Sequence, residues 1–332
     1  MSDSSGYSRV PETVSPEWAA YFEGLPDPAS LPLLPSPGDF DAWRVRNRLA
    51  EGERLAGGYG DPGRGVEVVD GEIGGIPVLD VRPDGWVEDG RALLYTHGGG
   101  YVAFTARSTI GNAARVARAS GLRILSVDYT LAPFARWQAI TDQVVSVFQG
   151  LVAEGSSLDQ LAIYGDSAGG SLAAGSVLKM RDLGLGIPAA VVMWSPWSDI
   201  TDTGDTYETL AGVEGSYLYD LHLKPAADAY ADPPDQTSPY VSPVYGDYSS
   251  GFPPTLIQGG TREIFLSNFV RQYQVMDQGG VDVRLDLYEG MPHGFQCKLP
   301  ETPEARVAVQ KTADFIRSRL DLLRSGDTQG RI

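Results

Sequence analysis

A serine flanked by glycines, Gly165-Asp166-Ser167-Ala168-Gly169-Gly170, lies between a glycine run at His97-Gly98-Gly99-Gly100-Tyr101 and a histidine at Pro292-His293-Gly294-Phe295. In that order they offer what acyl transfer by a hydroxyl requires: a nucleophile, backbone donors for the oxyanion, and a base. Gly-x-Ser-x-Gly spacing suits a serine at a sharp strand-to-helix turn, where a neighbouring Cβ would collide as the backbone doubles back. Alone the spacing is a weak signal. With 40 glycines in 332 residues, roughly a few tenths of a match arises in a shuffled chain. The flanks carry more weight. Leu161-Ala162-Ile163-Tyr164 reads as a buried strand, and residues 167–183, rich in Ala, Leu and Val and closing on Lys179, Arg181 and Gly184, read as a helix.

Three histidines compete for the role of base: His97, His222 and His293. His222 lies in a Tyr-rich stretch with no flanking signal and reads as a surface or pocket-wall residue. His97 precedes three glycines whose value is in their backbone amides, so its imidazole is expected to hold that loop. His293 follows an expected strand, residues 281–288, by a short loop, at the carboxyl edge of a sheet where ligands of open α/β folds bind. The supporting acid is Glu263, in the Gly259-Gly260-Thr261-Arg262-Glu263 turn after another strand, with Asp282, Asp286 and Glu289 as rivals. Asp282 and Asp286 share a strand face with Arg284, opposite Val281, Val283, Leu285 and Leu287, and are expected to face solvent.

The candidate oxyanion hole is Gly98, Gly99 and Gly100 with the amide of Ala168, the loop type that lipases and esterases use after a strand. Tyr101 and Trp197, with Phe104 and Trp194, fall near strand ends and suggest an aromatic-walled pocket for an acyl group or lactone of small to medium size. Cys297 is close to His293 in sequence, yet it has no elbow of its own and is assigned a packing role. No cofactor and no metal is implied.

These residues need a scaffold of alternating strands and helices. Helices are expected over residues 16–24 and 39–55 around a Pro-rich stretch, then a hairpin from residues 66–70 and 77–82. Strands over 92–96, 124–128, 161–164 and 190–194 alternate with helices over 108–120, 138–154 and 167–183. Such alternation implies a mostly parallel sheet covered by helices on both faces. It stops over residues 201–248, polar and rich in Pro and Tyr, which is too long for a structureless loop and reads as a small helical insertion or a lid. It resumes with a strand over 255–258, a helix near 267–277, the strand 281–288 and a last helix with Thr302 as N-cap and Pro303 at its first position.

Bulk properties narrow the class further. A 42% hydrophobic and 21% charged composition is ordinary for a globular protein. The net charge of -17 argues against nucleic acid or an anionic membrane as partner, since both need clustered Lys and Arg. One cysteine excludes an intrachain disulfide framework and suits a reducing compartment. Residues 1–15 lack an apolar signal region and no stretch is long enough to span a bilayer, which gives a cytoplasmic expectation with a loose N-terminal tail.

With these motifs in view, the chain resembles the hormone-sensitive-lipase-like (bacterial family IV) carboxylesterases of the α/β-hydrolase superfamily. Beyond HGGG and GDSAGG, Asp128-Tyr129-Thr130-Leu131-Ala132-Pro133, Ser195-Pro196-Trp197-Ser198-Asp199 and Ser242-Pro243-Val244-Tyr245 are similar to further segments of that family, nearly end to end. The resemblance implies an eight-stranded α/β-hydrolase fold, with residues 1–62 as N-terminal tail and cap helices and 63–200 as the first part of the core. Residues 201–248 would be a cap insertion and 249–332 the second part of the core. It implies Gly99, Gly100 and Ala168 as oxyanion donors, ester or lactone hydrolysis through an acyl-enzyme on Ser167, and a homodimer through residues 281–288 and 303–324. Two positions depart from it: Phe134 where many relatives have an acid, and Glu263 where many have Asp. Gly260-Thr261-Arg262-Glu263 is similar to the subgroup that includes lactone hydrolases and acetylhydrolases. Other readings on the same scaffold are a catalytically silent ligand receptor and an acyltransferase or dehydratase.

Overall fold

The computed structural model describes residues 10–327, and the side chains of residues 10–320. Two helices lead, α1 (Pro16–Glu23) and α2 (Phe40–Ala56), followed by the hairpin β1 (Val66–Ile73) and β2 (Ile76–Pro83). Then come β3 (Ala92–Thr96), α3 (Ile110–Ser120), β4 (Arg123–Val127), α4 (Trp137–Ala153), β5 (Leu161–Asp166), α5 (Ala168–Asp182) and β6 (Ala190–Trp194). The stretch that lacked a strand pattern holds only short helical pieces, α6 (Thr206–Thr209) and α7 (Lys224–Tyr230) among them. The core resumes with β7 (Thr255–Gly260), α8 (Leu266–Gln278), β8 (Val283–Tyr288), the single turn α9 (Phe295–Lys298) and α10 (Pro303–Asp327).

The eight strands form one sheet in the order β1-β2-β4-β3-β5-β6-β7-β8. β1 and β2 pair antiparallel, as do β2 and β4, and every other neighbour pairs parallel. Every residue of β3, β5, β6 and β7 is buried, because crossover helices cover both faces of a parallel sheet. Side chains alternate between those faces. Leu94 and Ile163 pack on the side of Val144 and Leu172 from α4 and α5, whereas Leu93, Tyr95 and Tyr164 join Val116 of α3 and Ile316 of α10. The carboxyl ends of β3, β5, β6, β7 and β8 therefore open at one edge, the place where open α/β sheets bind ligands.

Two expectations need correction. The strand expected over 281–288 starts at Val283 and is an edge strand, with Val283 and Leu285 packed on the core while Arg284 and Leu287 stay exposed. Asp282 is exposed as expected, but Asp286 is half-buried and held by Lys311 of α10 at 2.8 Å, while Leu287 of the face expected to be buried is 39% exposed. Thr302 stands at the N-cap of α10 as expected, with Pro303 first in the helix and the Arg306 amide donating to Thr302 O at 3.0 Å, while its hydroxyl donates to Leu299 O at 2.8 Å and accepts from the Trp18 indole at 3.1 Å. Of the expected loose tail, residues 1–9 lie outside the described residues. The rest is tied down, with Thr13 bonded to Glu289 and the Ser15 amide donating to Glu304 at 2.8 Å. Trp18 of α1 is fully buried against Met291 and Phe295, on either side of His293.

Candidate active site

Ser167 sits between β5 and α5 with φ 57° and ψ −125°, a left-handed φ that a non-glycine residue holds only when its surroundings enforce it. The enforcement is visible in its glycines. A Cβ at Gly165 would strike the carbonyl of Gly169, and one at Gly169 the carbonyl of Thr96 at the end of β3. The Ser167 amide donates to Trp194 O of β6 at 2.8 Å, which pins the turn across the sheet edge.

From the end of β8 the chain carries His293 back over this turn. Its Nε2 lies 2.9 Å from Ser167 Oγ and its Nδ1 2.8 Å from Glu263 Oε2, after β7. Glu263 is fully buried, and its other oxygen accepts from the Gly260 amide at 2.5 Å and the Ser195 hydroxyl at 2.7 Å. Ser195 itself accepts from the Gly294 amide at 3.2 Å, which leaves its own proton for Glu263. Two donors on Oε1 favour the carboxylate, which then accepts the Nδ1 proton and leaves Nε2 a lone pair facing Ser167.

Burial dominates the electrostatics. Phe265 and Tyr217 meet the imidazole edge-on at 4.9 and 5.6 Å, and desolvation lowers the His293 pKa to about 4, keeping it neutral. Desolvation also pushes Glu263 upward, against the pull of its Gly260 and Ser195 donors. The rival acids are engaged elsewhere: Asp282 pairs with Arg319, Asp286 with Lys311, and Glu289 takes the Thr13 hydroxyl.

The glycine run after β3 divides into two parts. The amide of Gly98 donates to Asp166 Oδ1 at 3.1 Å, so Gly98 is withdrawn from the oxyanion set that the sequence suggested. Asp166 also accepts from Tyr95 at 2.5 Å and thereby ties the loop to the elbow. Among the described residues the amides of Gly99, Gly100 and Ala168 have no acceptor, and Gly99 and Gly100 line the cavity beside Ser167. His97 is fully buried, stacked on Tyr129 at 4.3 Å, with Nδ1 2.8 Å from Gly98 O, so it does hold the loop.

Ser167 opens into a cavity of about 250 Å³, near the lower end for ligand pockets. Its walls draw on three stretches: Leu31, Leu34 and Arg46 before the sheet, Tyr217 and Leu223 from the insertion, and the core with Phe265. Trp197 and Phe104 line it, as expected. Tyr101 does not. Its backbone is left-handed at φ 66° and its ring is buried face to face on Tyr230 at 3.7 Å, so the substrate-binding role assigned to it is withdrawn. Trp194 also points away, its indole donating to Thr312 of α10 at 2.8 Å. His222 is a wall residue, its Nδ1 accepting from the Leu218 amide at 3.1 Å.

Sequence reasoning missed Glu214. Fully buried in the insertion, it accepts the backbone N–H of His293 at 2.5 Å and that of Ile264 at 3.3 Å. Nearby, Lys298 donates to Tyr21 of α1 at 3.1 Å and to Ser216 of the insertion at 2.9 Å. The base is thus braced from the segment between β6 and β7 as well as from the sheet's own loops. The local mark of Glu214 is no more than a carboxylate in Gly212-Val213-Glu214-Gly215, within a stretch without periodicity. Cys297 is buried in the packing near α10, and burial raises its thiol pKa. Among the described residues no cluster of three or more His, Cys, Asp or Glu is arranged to hold a metal ion, and no helix is long and apolar enough to cross a membrane.

Comparison with known proteins bears on this site. The model of the α/β hydrolase fold family matches residues 93–297. An acetyl-hydrolase of Streptomyces hygroscopicus is 31% identical, over 83% of this chain and 92% of its own. An ethyl acetate hydrolase of Pseudomonas putida is 28% identical, over 85% and 92%. Among solved structures, an esterase from the bacterial hormone-sensitive lipase family superposes with a TM-score of 0.82 at 29% identity, over 92% of this chain and 99% of its own.

Proposed function

The chain belongs to the α/β-hydrolase family, among its hormone-sensitive-lipase-like carboxylesterases, and we propose that Ser167, His293 and Glu263 are its catalytic triad. Its reaction is the hydrolysis of carboxylic esters. The observation that carries the residue assignment is the unbroken relay from Ser167 Oγ through both nitrogens of His293 to Glu263.

In the first step Ser167 Oγ attacks the ester carbonyl carbon while its proton passes to His293 Nε2, and the amides of Gly99, Gly100 and Ala168 receive the oxyanion. The tetrahedral adduct collapses, the C–O bond to the alcohol breaks, and His293 returns the proton to the leaving alkoxide. Water then attacks the acyl-enzyme with His293 again as base. The carboxylic acid leaves and the serine is restored. Glu263 stays ionised throughout and holds the Nδ1–H tautomer.

The small cavity and the acetyl- and ethyl acetate-hydrolysing relatives support short acyl esters as substrates. Lactones fit the same steps, with the leaving alcohol still tethered, and the Gly260-Thr261-Arg262-Glu263 turn supports including them. A receptor without turnover is disfavoured by the base in contact with the nucleophile. Cytoplasmic residence, with the one cysteine buried and unpaired, and a homodimer through the edge strand β8 and α10 belong to the same proposal. Replacing Ser167 by Ala should cut turnover of 4-nitrophenyl acetate by about 10⁴-fold or more. Residual activity close to the parent protein in a clean preparation would overturn the assignment.

A further inference from the structure

α2 lays Arg46 into the wall of the cavity that Ser167 opens onto. Among the described residues this side chain forms no ion pair and no hydrogen bond, and its Nη1 is buried without an acceptor. The guanidinium instead lies over the face of Trp43, its carbon 5.5 Å from the ring centroid. A chain with 43 acidic and 26 basic residues has carboxylates to spare, and leaving one guanidinium unpaired inside a cavity is costly. Most of the surrounding wall is apolar, with Leu31, Leu34, Val102, Phe104 and Trp197, and no Asp or Glu lines it; the neighbouring Tyr217 acts on the guanidinium only as an anion, a form that desolvation disfavours. A planar guanidinium presents paired donors that match a carboxylate.

We infer that Arg46 is a specificity residue, and that the preferred substrate is an ester bearing a free carboxylate, on either its acyl or its alcohol part. The inference rests on the esterase reading of the same site. Long-range repulsion from the acidic protein disfavours an anion everywhere except where a local cation receives it. Arg46 thereby turns a generic short-acyl pocket into one that discriminates by charge.

Two substrate series test this and locate the charge: monoethyl esters of succinate, glutarate and adipate against their carboxamides, and 4-acetoxybutanoate against 4-acetoxybutanamide. For at least one pair the wild-type kcat/KM should favour the carboxylate by about tenfold or more. Arg46→Met should bring that ratio to about one or below, and Arg46→Lys should keep part of it. Because the readout is a ratio within one variant, a general loss of activity cancels. Wild-type protein supplies a second measurement: glutarate should inhibit 4-nitrophenyl acetate hydrolysis about tenfold more strongly than glutaramide. Equal rates within every pair, an unchanged ratio in Arg46→Met, or equal inhibition would overturn the inference while leaving the esterase reading intact. Failure to turn over any ester, 4-nitrophenyl acetate included, would sink that reading and this inference with it.

Discussion

Glu214 Oε2 accepts the backbone N–H of His293 at 2.5 Å, so a carboxylate from the insertion holds the main chain of the base. The same carboxylate takes the Ile264 amide at 3.3 Å, one residue beyond Glu263, and so braces both partners at once. Glu214→Ala should leave two buried amides without acceptors, at a cost of about 1–3 kcal/mol each in stability. Activity should fall more than stability explains, because the imidazole loses its placement. Thermal unfolding together with kcat at a temperature well below the transition separates the two. A variant with parental kcat would show that the core alone positions His293.

Glu263→Gln changes the proton pattern and little else. An amide nitrogen facing Nδ1 would favour the wrong imidazole tautomer, with an expected loss in kcat of about 10³–10⁴-fold. Asp282→Asn and Glu289→Gln should stay near the parent, since those acids pair with Arg319 and Thr13. A large loss in either would reassign the acid.

Ser195 offers a graded version of the same test. It holds a left-handed φ of 45° and donates to Glu263 at 2.7 Å. Ser195→Gly accepts that backbone but deletes the hydroxyl, so kcat should fall by roughly tenfold with KM little changed. A fall in KM in place of a fall in kcat would point to ground-state effects.

Much of the arrangement was readable because each reactive loop follows a strand end and motif order maps onto sheet order. Ser167, His293 and Glu263 come after β5, β8 and β7, and buried strands announce themselves as apolar runs. What escaped depends on tertiary hydrogen bonds or backbone sign. Gly98 looked like its two neighbours until Asp166 took its amide. Tyr101 follows a glycine run that reverses the chain, so its side chain turns onto Tyr230 and away from the pocket. Arg46 sat on a helix whose contact with the cavity no local pattern encodes.

Cys297 provides a negative control for the nucleophile. It is 6% exposed, and burial raises its thiol pKa, so little thiolate forms at neutral pH. Cys297→Ala should keep kcat within about threefold, and the folded parent should resist iodoacetamide. Rapid inactivation by that reagent would contradict the packing role.

The pH profile follows from the environment of His293. The base must be neutral to take the serine proton, and burial lowers its pKa to about 4. A lowered pKa keeps the neutral form present at more acidic pH, so kcat/KM should persist below the ordinary imidazole value of about 6.5 and fall as pH drops toward about 4. Charged neighbours act in opposite directions: Glu214 and Asp166 favour the imidazolium, Lys298 opposes it. Glu214→Gln removes one of the favouring charges and should move the acid limb to still lower pH, whereas Lys298→Met should move it up. Rates with an ester that does not ionise, taken beside circular dichroism at each pH, distinguish titration from unfolding. An acid limb centred at or above about 6.5 in the parent would mean that the Glu263 carboxylate outweighs desolvation.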